Sequence, residues 1–447
     1  MIHTRTLAAC ALGSLLAWPA HAGVSAEEAA KLRNALTPLG AERAGNKEGT
    51  IPSWEGGETK APAGYKSGDP RPDPYATEKP LVSVSAKNLD AFEAKLSEGT
   101  KALLKKYPDQ FRLDVYPTHR TAAAPQWVYD NTFKNATRAK LKGGEWVEGA
   151  YGGIPFPIPH NGAEAMWNHS LAWVGSSTLI TYQNWVGLAD GRRSLAAKGF
   201  NLVQYPYYDP AGSLEKFKSE YQFLRVAQTE PPYKAGEQVL AVDSVDAPRQ
   251  AWQYISGQRR VRKGPTIGYD TPDDVTGGQM GFDEAFNFWG PLDRYEWKLV
   301  GKKEIYIPYN TAKVMTAPVD KQAGPVSLNP DLVRWELHRV WVVEATLKEG
   351  KRHVYSKRTF YLDEDSWAAL ASDEYDARGQ LWRTGFAYMA PTYDLPAPYT
   401  DMFGHYDLVS RVYSVTGYIA ETGGMRQTKA LSEREWTADA LAGAGIR

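Results

Sequence analysis

One cysteine occurs in 447 residues, Cys10, and it sits in an N-terminal apolar leader. Without that leader the chain has no disulfide, no thiolate nucleophile and no sulfur ligand for zinc. An excess of charge of one sign is missing too. Lys plus Arg and Asp plus Glu number 52 each, and loss of Arg5 with the leader leaves a balance of minus one. The nearest thing to a basic cluster is Arg259, Arg260, Arg262 and Lys263, which reads as a solvated strand face, so nucleic-acid and anionic-membrane binding find no support. After the leader, no stretch approaches the roughly 20 apolar residues of a membrane span. Histidine is scarce, and His119, His160, His169, His338, His353 and His405 show no i, i+3 or i, i+4 pairing that would mark a metal site. Neither a G-x-S-x-G elbow nor a P-loop is present. Residues 213–216, Ser-Leu-Glu-Lys, match only the bare S-x-x-K spacing. The residues therefore indicate no enzyme, no metal and no cofactor. The acidic turns at 270–274 and 363–365 are read as exposed, and exposed acidic turns bind calcium weakly at best.

The leader itself is a secretory signal. Arg5 supplies the positive n-region, 7–18 the apolar core, and Ala20-His21-Ala22 a small-x-small cleavage site, so the mature chain is expected to start at Gly23 in the periplasm. A lipobox reading of Leu7-Ala8-Ala9-Cys10 is weaker, because it leaves almost no apolar core before Cys10.

Aromatic residues, Gly and Pro are abundant: 15 Trp, 26 Tyr, 40 Gly and 29 Pro. They point to β-structure with many turns. The clearest signal is 337–389, where four strands are predicted, at 337–347, 353–362, 366–376 and 380–389, separated by Gly- or Asp-bearing breaks. Period-2 spacing puts Leu337, Trp341, Val343, Ala345 and Leu347 on one face, and Trp382, Phe386 and Tyr388 on one face of the fourth strand. Both faces of this meander carry apolar residues, so both are expected to be covered. A hairpin turn at 349–350 would set His338 opposite Tyr361 and Thr346 opposite His353.

Further strands are predicted at 111–116, 126–133, 178–188, 200–207, 221–228, 238–245, 250–262, 295–309 and 406–415. Helices are predicted from 25 (a Ser25–Glu28 capping box), over 86–107, at 162–173 with Asn161 and Glu164 at its start, and at 283–289. The Pro- and Gly-rich arm 51–80, bearing Trp54, Tyr65 and Tyr75, reads as an extended strap. The organisation expected is a leader (1–22), N-terminal helices and arm (23–110) and a strand-rich body (111–447). So many strands must curl, split or close.

Three strings, 36–54 (LTPLGAERAGNKEGTIPSW), 152–169 (GGIPFPIPHNGAEAMWNH) and 292–310 (LDRYEWKLVGKKEIYIPYN), with YLDEDSW at 361–367 and YDARGQLWR at 375–383, resemble the bacterial domain-of-unknown-function family 1329. That resemblance implies the lipoprotein-localisation (Lol) carrier fold. This is a mainly β, strongly curved antiparallel sheet, or half-open barrel, with helices plugging its mouth and an apolar cavity. It also implies periplasmic handling of a lipid or other hydrophobic molecule beside a resistance–nodulation–division transporter and an outer-membrane barrel protein.

A cavity holding a sixteen-carbon chain needs roughly 10 kcal/mol of apolar surface, at about 0.8 kcal/mol per CH₂. On that argument the candidate ligand residues are Trp341, Val343, Phe360, Trp382, Phe386 and Tyr388 of the meander. The apolar loop 152–159 adds Phe156 and Ile158, and 293–297 adds Tyr295, Trp297 and Arg294, the last for an anionic headgroup. Each has a structural alternative: packed core for the meander, a buried crossover for the loop and an ion pair for Arg294. A lipid carrier, an adaptor whose apolar groove takes a protein, and an enzyme on a hydrophobic substrate are the three functions weighed, in that order.

Overall fold

The β-rich composition is realised in one large sheet. A computed structural model describes residues 23–66, 69, 71–264, 267–400, 402–420 and 424–445. The leader with Cys10, and its cleavage site after Ala22, lie outside the described residues. Sixteen strands join the sheet. In chain order they are β1 (Val82–Val84), β2 (Leu113–Val115), β3 (Ser177–Gly187), β4 (Arg193–Gln204), β5 (Glu220–Glu230), β6 (Gln238–Ser244), β7 (Gln250–Ile255) and β8 (Arg260–Lys263). Then follow β9 (Tyr295–Pro308), β10 (Arg334–Leu347), β11 (Lys357–Asp363), β12 (Ala369–Tyr375), β13 (Leu381–Ala387), β14 (Phe403–Asp407), β15 (Tyr413–Thr416) and β16 (Met425–Gln427).

The spatial order is β1-β2-β10-β11-β12-β13-β14-β15-β3-β4-β5-β6-β7-β8, with β9 on the other flank of β10 and β16 on β3. Among the described residues β8 and β9 do not pair with each other, so the sheet is open rather than a closed barrel. It is also mixed rather than wholly antiparallel, because β2 runs parallel to the start of β10 at Arg334 and Trp335.

The meander β10–β13 forms where expected. Its first hairpin does not have the tight turn: Val342 faces Tyr361 and Thr346 faces Lys357, a shift of four that leaves 348–356 as a loop. His353 in that loop reaches Asp283 instead, at 3.0 Å. Two predicted strands are each split into a hairpin, 250–262 into β7 and β8 and 406–415 into β14 and β15. The reversals use left-handed residues, Arg259 at φ 49° and Arg411 at φ 63°.

The segment 126–133, predicted as a strand, is helix α3 (Gln126–Arg138), and α1 (Ala26–Ala30) and α2 (Glu98–Lys106) precede it. Pro125 stands at the N-cap of α3, and Val128, Thr132, Asn135 and Ala136 are buried at helical spacing. Tertiary packing has overridden the strand preference of its aromatic and β-branched residues. The continuous helix expected over 86–107 is two 3₁₀ turns followed by α2, which starts afresh at a Ser97 cap. Helix α1 has its Ser25–Glu28 capping box, and α4 (Gly162–Ser170) starts at Asn161, whose side chain accepts from the Glu164 N–H.

The arm is tied to the body. Arg71 bridges to Asp394 at 2.8 Å, Tyr65 packs edge-on against Tyr393, and Tyr75 stacks on His119. The turn 363–365 is not exposed. Asp363, Glu364 and Asp365 are all buried, with Arg120 gripping Asp365 at 2.8 and 2.7 Å and Arg339 donating to Glu364 at 2.6 Å. Acidic residues in a turn are buried here because cations from 120 and 339 converge on them.

Candidate ligand cavity

Strands β3 to β6 are adjacent, and alternate residues on each point to one side. Thr178, Ile180, Tyr182 and Asn184 come from β3, Asn201 and Val203 from β4, Gln222, Leu224 and Val226 from β5, and Val239 and Ala241 from β6. They form one wall of a cavity. The opposite side is the 267–289 segment, including Val275, Phe282, Phe286 and Trp289, with Ala172 and Val174 after α4 and Phe403 of β14 closing an end. Space for the centres of water-sized molecules is about 150 Å³, and the empty space between the lining atoms, mouth included, is about 1540 Å³. Val226, Val239, Phe282, Phe286 and Phe403 are only half-buried.

The cover is shaped by local backbone choices. Residues Phe282–Asn287 form a 3₁₀ segment interrupted at Ala285 and at Phe286, which takes φ 54°. A left-handed phenylalanine is uncommon and costs free energy. Here it turns the chain so that Phe286 meets Phe403, with ring centroids 4.8 Å apart. His169 pins the cover to α4. One ring nitrogen, Nε2, lies 2.9 Å from the Phe288 carbonyl, and the other, Nδ1, accepts the Ala369 N–H at 3.1 Å. Nδ1 also lies 3.2 Å from the Trp367 carbonyl. Burial holds the ring's pKa below the ordinary value, which favours the neutral form. Asp273 sits in the cover and accepts the Val275 N–H at 3.0 Å. Burial pushes its carboxyl up to about 7, against the pull of that N–H.

The polar lining divides into two sets. Gln222 is saturated between Tyr205, to which its amide donates, and Trp289, whose indole N–H it accepts at 2.8 Å. Tyr182 Oη, Asn184 Oδ1 and Asn201 Oδ1 are buried atoms with no hydrogen-bond partner among the described residues. Asn184 spends its amide N–H on the Val275 carbonyl at 2.8 Å, which leaves its oxygen facing the cavity.

None of the eleven residues singled out from the sequence lines this cavity. Val343 and Phe360 are fully buried, and Phe360 is covered by Phe288 and Trp297 at ring distances of 5.5 and 5.9 Å. Val343, Phe360, Ser372 and Gly385 lie in one register across the meander, whereas Phe386 belongs with Val342, Tyr361 and Ala371. Val343 and Phe386 thus point to opposite faces. Phe386 packs on Trp335, Tyr388 hydrogen-bonds Tyr406, and the Trp382 indole donates to Asp407 at 2.9 Å. Trp341 stacks near Trp367 under the Lys302 ammonium.

Tyr295 is buried, with its hydroxyl on the Tyr355 carbonyl, and Trp297 donates to the Leu292 carbonyl. Arg294 lies over the Tyr269 ring and pairs with Asp270 at 3.2 Å. Phe156 is clasped through its backbone by Asn168 of α4, and with Ile158 it borders a separate crevice of about 10 Å³, the size of one water.

One group of metal-ligand type converges among the described residues, the buried His338, Asp363 and Asp365. Arg120 already occupies both oxygens of Asp365, and His338 Nε2 lies 3.1 Å from Glu336. Burial raises the Asp363 carboxyl to about 7. The knot is balanced by its own cations, and it is remote in sequence from the cavity strands.

With this geometry in place, the chain can be compared with known proteins. The model of a family described as protein of unknown function (DUF1329) matches residues 83–442. The chain belongs to that family. The uncharacterized protein PA3922 of Pseudomonas aeruginosa is 41% identical over 461 residues, covering 100% of this chain and 99% of its own. Among solved structures, a Vibrio parahaemolyticus domain described as an outer membrane lipoprotein-sorting protein is similar at 12% identity and a TM-score of 0.43, over 63% of this chain and 98% of that one. A LolA superfamily protein from Nitrosomonas europaea matches at 12% identity and a TM-score of 0.39, over 63% and 100%. At such scores the likeness is loose, and the function of the DUF1329 chain is argued below from its own cavity.

Proposed function

We propose that this DUF1329 protein is a periplasmic carrier that holds a hydrophobic molecule non-covalently between β3–β6 and the 267–289 cover. The observation that carries the reading is the cavity. Four neighbouring strands send alternate side chains into a space that the protein does not fill, and several apolar side chains around it stay half-buried. An ordinary interior is packed to crystal-like density, and an apolar gap in it forfeits dispersion contacts. An apolar guest restores them. In this reading the open sheet acts as a curved half-barrel, and the turn at 282–287 is its gate. The Val343–Phe360 region of the meander supports the core behind the gate.

Delivery to and from membranes assigns donor and acceptor roles to a resistance–nodulation–division transporter and an outer-membrane protein, as the family resemblance implied. The reading is tested by native mass spectrometry and solvent extraction of the chain purified from its own periplasm. A co-purifying apolar molecule that is lost on filling the cavity by mutation is the expected result. A chain that is ligand-free and takes up no uncharged apolar fluorophore would sink the reading.

A further inference from the structure

The cavity wall also carries information about the polar end of its guest. No Lys, Arg or Glu lines it among the described residues; its titratable groups include His169, whose burial favours the neutral form, Asp273 and Tyr182. Arg249 is not among the lining residues; it stacks on the lining Trp289 at 3.5 Å and is paired with Asp243 at 2.6 and 3.2 Å, with its Nη1 buried and unpartnered among the described residues. An anionic headgroup placed here would be desolvated without a cation to pair with. The sequence had suggested Arg294 for that purpose, and Arg294 is committed to Asp270 and Tyr269.

What the wall does offer is a row of unpartnered oxygens, on Asn184, Tyr182 and Asn201. Tyr182 and Asn184 share one face of β3 and are 3% and 1% exposed. On β4, Gly199 lies opposite Tyr182, and Asn201 lies opposite Ile180, one step along the same face. A Cβ at Gly199 would run into the Ala227 carbonyl oxygen and come within 2.8 Å of Tyr182 Oη. Burial raises the pKa of the Tyr182 hydroxyl, and the charge of Asp273 adds to the rise. Amide oxygens accept hydrogen bonds and cannot donate, whereas the Tyr182 hydroxyl does either. A guest that presents a hydrogen-bond donor therefore satisfies any of the three.

We infer that the cavity takes an uncharged amphiphile whose polar end, a hydroxyl or primary amide, donates a hydrogen bond to Asn201 Oδ1, and that it rejects carboxylates and phosphates. This rests on the carrier reading above and specifies its ligand.

The test uses three probes of one chain length, 1-decanol, 1-methoxynonane and decanoate, titrated by calorimetry into the mature chain at pH 8. N-phenyl-1-naphthylamine (NPN) serves as an uncharged apolar reference. The alcohol should bind about three- to tenfold tighter than the ether, the worth of one net hydrogen bond. That order opposes the ether's greater apolarity. The carboxylate should bind at least about tenfold more weakly than the alcohol. Asn201→Leu, checked for an unchanged melting transition, should erase the alcohol's advantage over the ether. Ether or decanoate binding as tightly as the alcohol overturns the inference and leaves the carrier reading standing. If none of the four binds, both fall.

Discussion

Filling the cavity from one wall position separates a ligand site from a packing defect. Ala241 lies on β6 between Leu224 of β5 and Ala251 of β7, is 1% exposed, and lines the cavity. Ala241→Leu adds three carbons that project into the empty space and exclude about three methylenes of a bound chain. At about 0.8 kcal/mol per CH₂ the loss is about 2.4 kcal/mol, or roughly fiftyfold in Kd at 1.4 kcal/mol per decade. Because the new atoms enter free space, the fold should be kept within about 1 kcal/mol in urea unfolding, in contrast to overpacking of a filled core. NPN fluorescence titrations of wild type and variant give the ratio directly. A folded Ala241→Leu protein that binds NPN within twofold of wild type would refute the argument that β3–β6 form the ligand wall.

Three further outcomes follow from the same geometry. Phe360→Ala should cost about 3–5 kcal/mol in urea unfolding, since Phe360 is fully buried against Phe288 and Trp297, with NPN affinity unchanged; lost affinity at intact stability would return Phe360 to the ligand wall. Arg120→Ala strands Asp365 and Glu364 in the interior and should cost about 3–5 kcal/mol, measured by the same unfolding curves. Asp273 holds its proton up to about pH 7 in the folded chain and releases it near 4 when unfolded, so stability contributed by its protonated form is present below pH 4 and lost as pH rises through about 7. Asp273→Asn, which keeps the acceptor for Val275, should therefore match wild type near pH 4 and exceed it at pH 8, and a pH-independent difference would contradict the burial of that carboxyl.

The parts legible in the sequence share a reason. The strands β10–β13 are dense in Val, Trp, Tyr and Phe, and Gly350 and Gly379 in left-handed turns mark two of the breaks. The caps Ser25 and Asn161 announce their helices through side chains that can bond only locally. Helix α3 was hidden because Trp127, Val128, Tyr129 and Phe133 carry the strand preference, while the helix is fixed by long-range burial of Thr132 and Asn135. The cavity was hidden for a different reason. Its inward positions mix Thr178, Tyr182, Asn184, Asn201 and Gln222 with aliphatics, so hydrophobic alternation along β3–β5 is muted. The usable signal lay in the asparagines themselves. Asn is depleted from strands, and Asn184 and Asn201 stand inside two long ones.

Val343, Phe360, Ser372 and Gly385 lie in register, and from Gly385 the same face continues through His405 to Phe403, then to Thr416 and Asn184. One surface therefore serves as protein core at the meander and as cavity wall at β3–β6. The difference lies in what covers it. Over the meander side, α4 packs on β9 and β10, and Phe288 and Trp297 seat on Phe360. Over β3 and β4 the regular element of the cover is one 3₁₀ turn, Asp274–Thr276, and the rest of 267–289 is irregular apart from the interrupted 282–287 segment. A strand of 11 residues spans roughly 36 Å at about 3.3 Å per residue, and one turn of 3₁₀ helix rises only about 6 Å. That turn alone does not seal so long a wall. The boundary between core and cavity is therefore set by the 267–297 segment and not by the strands, whose shared face continues across it.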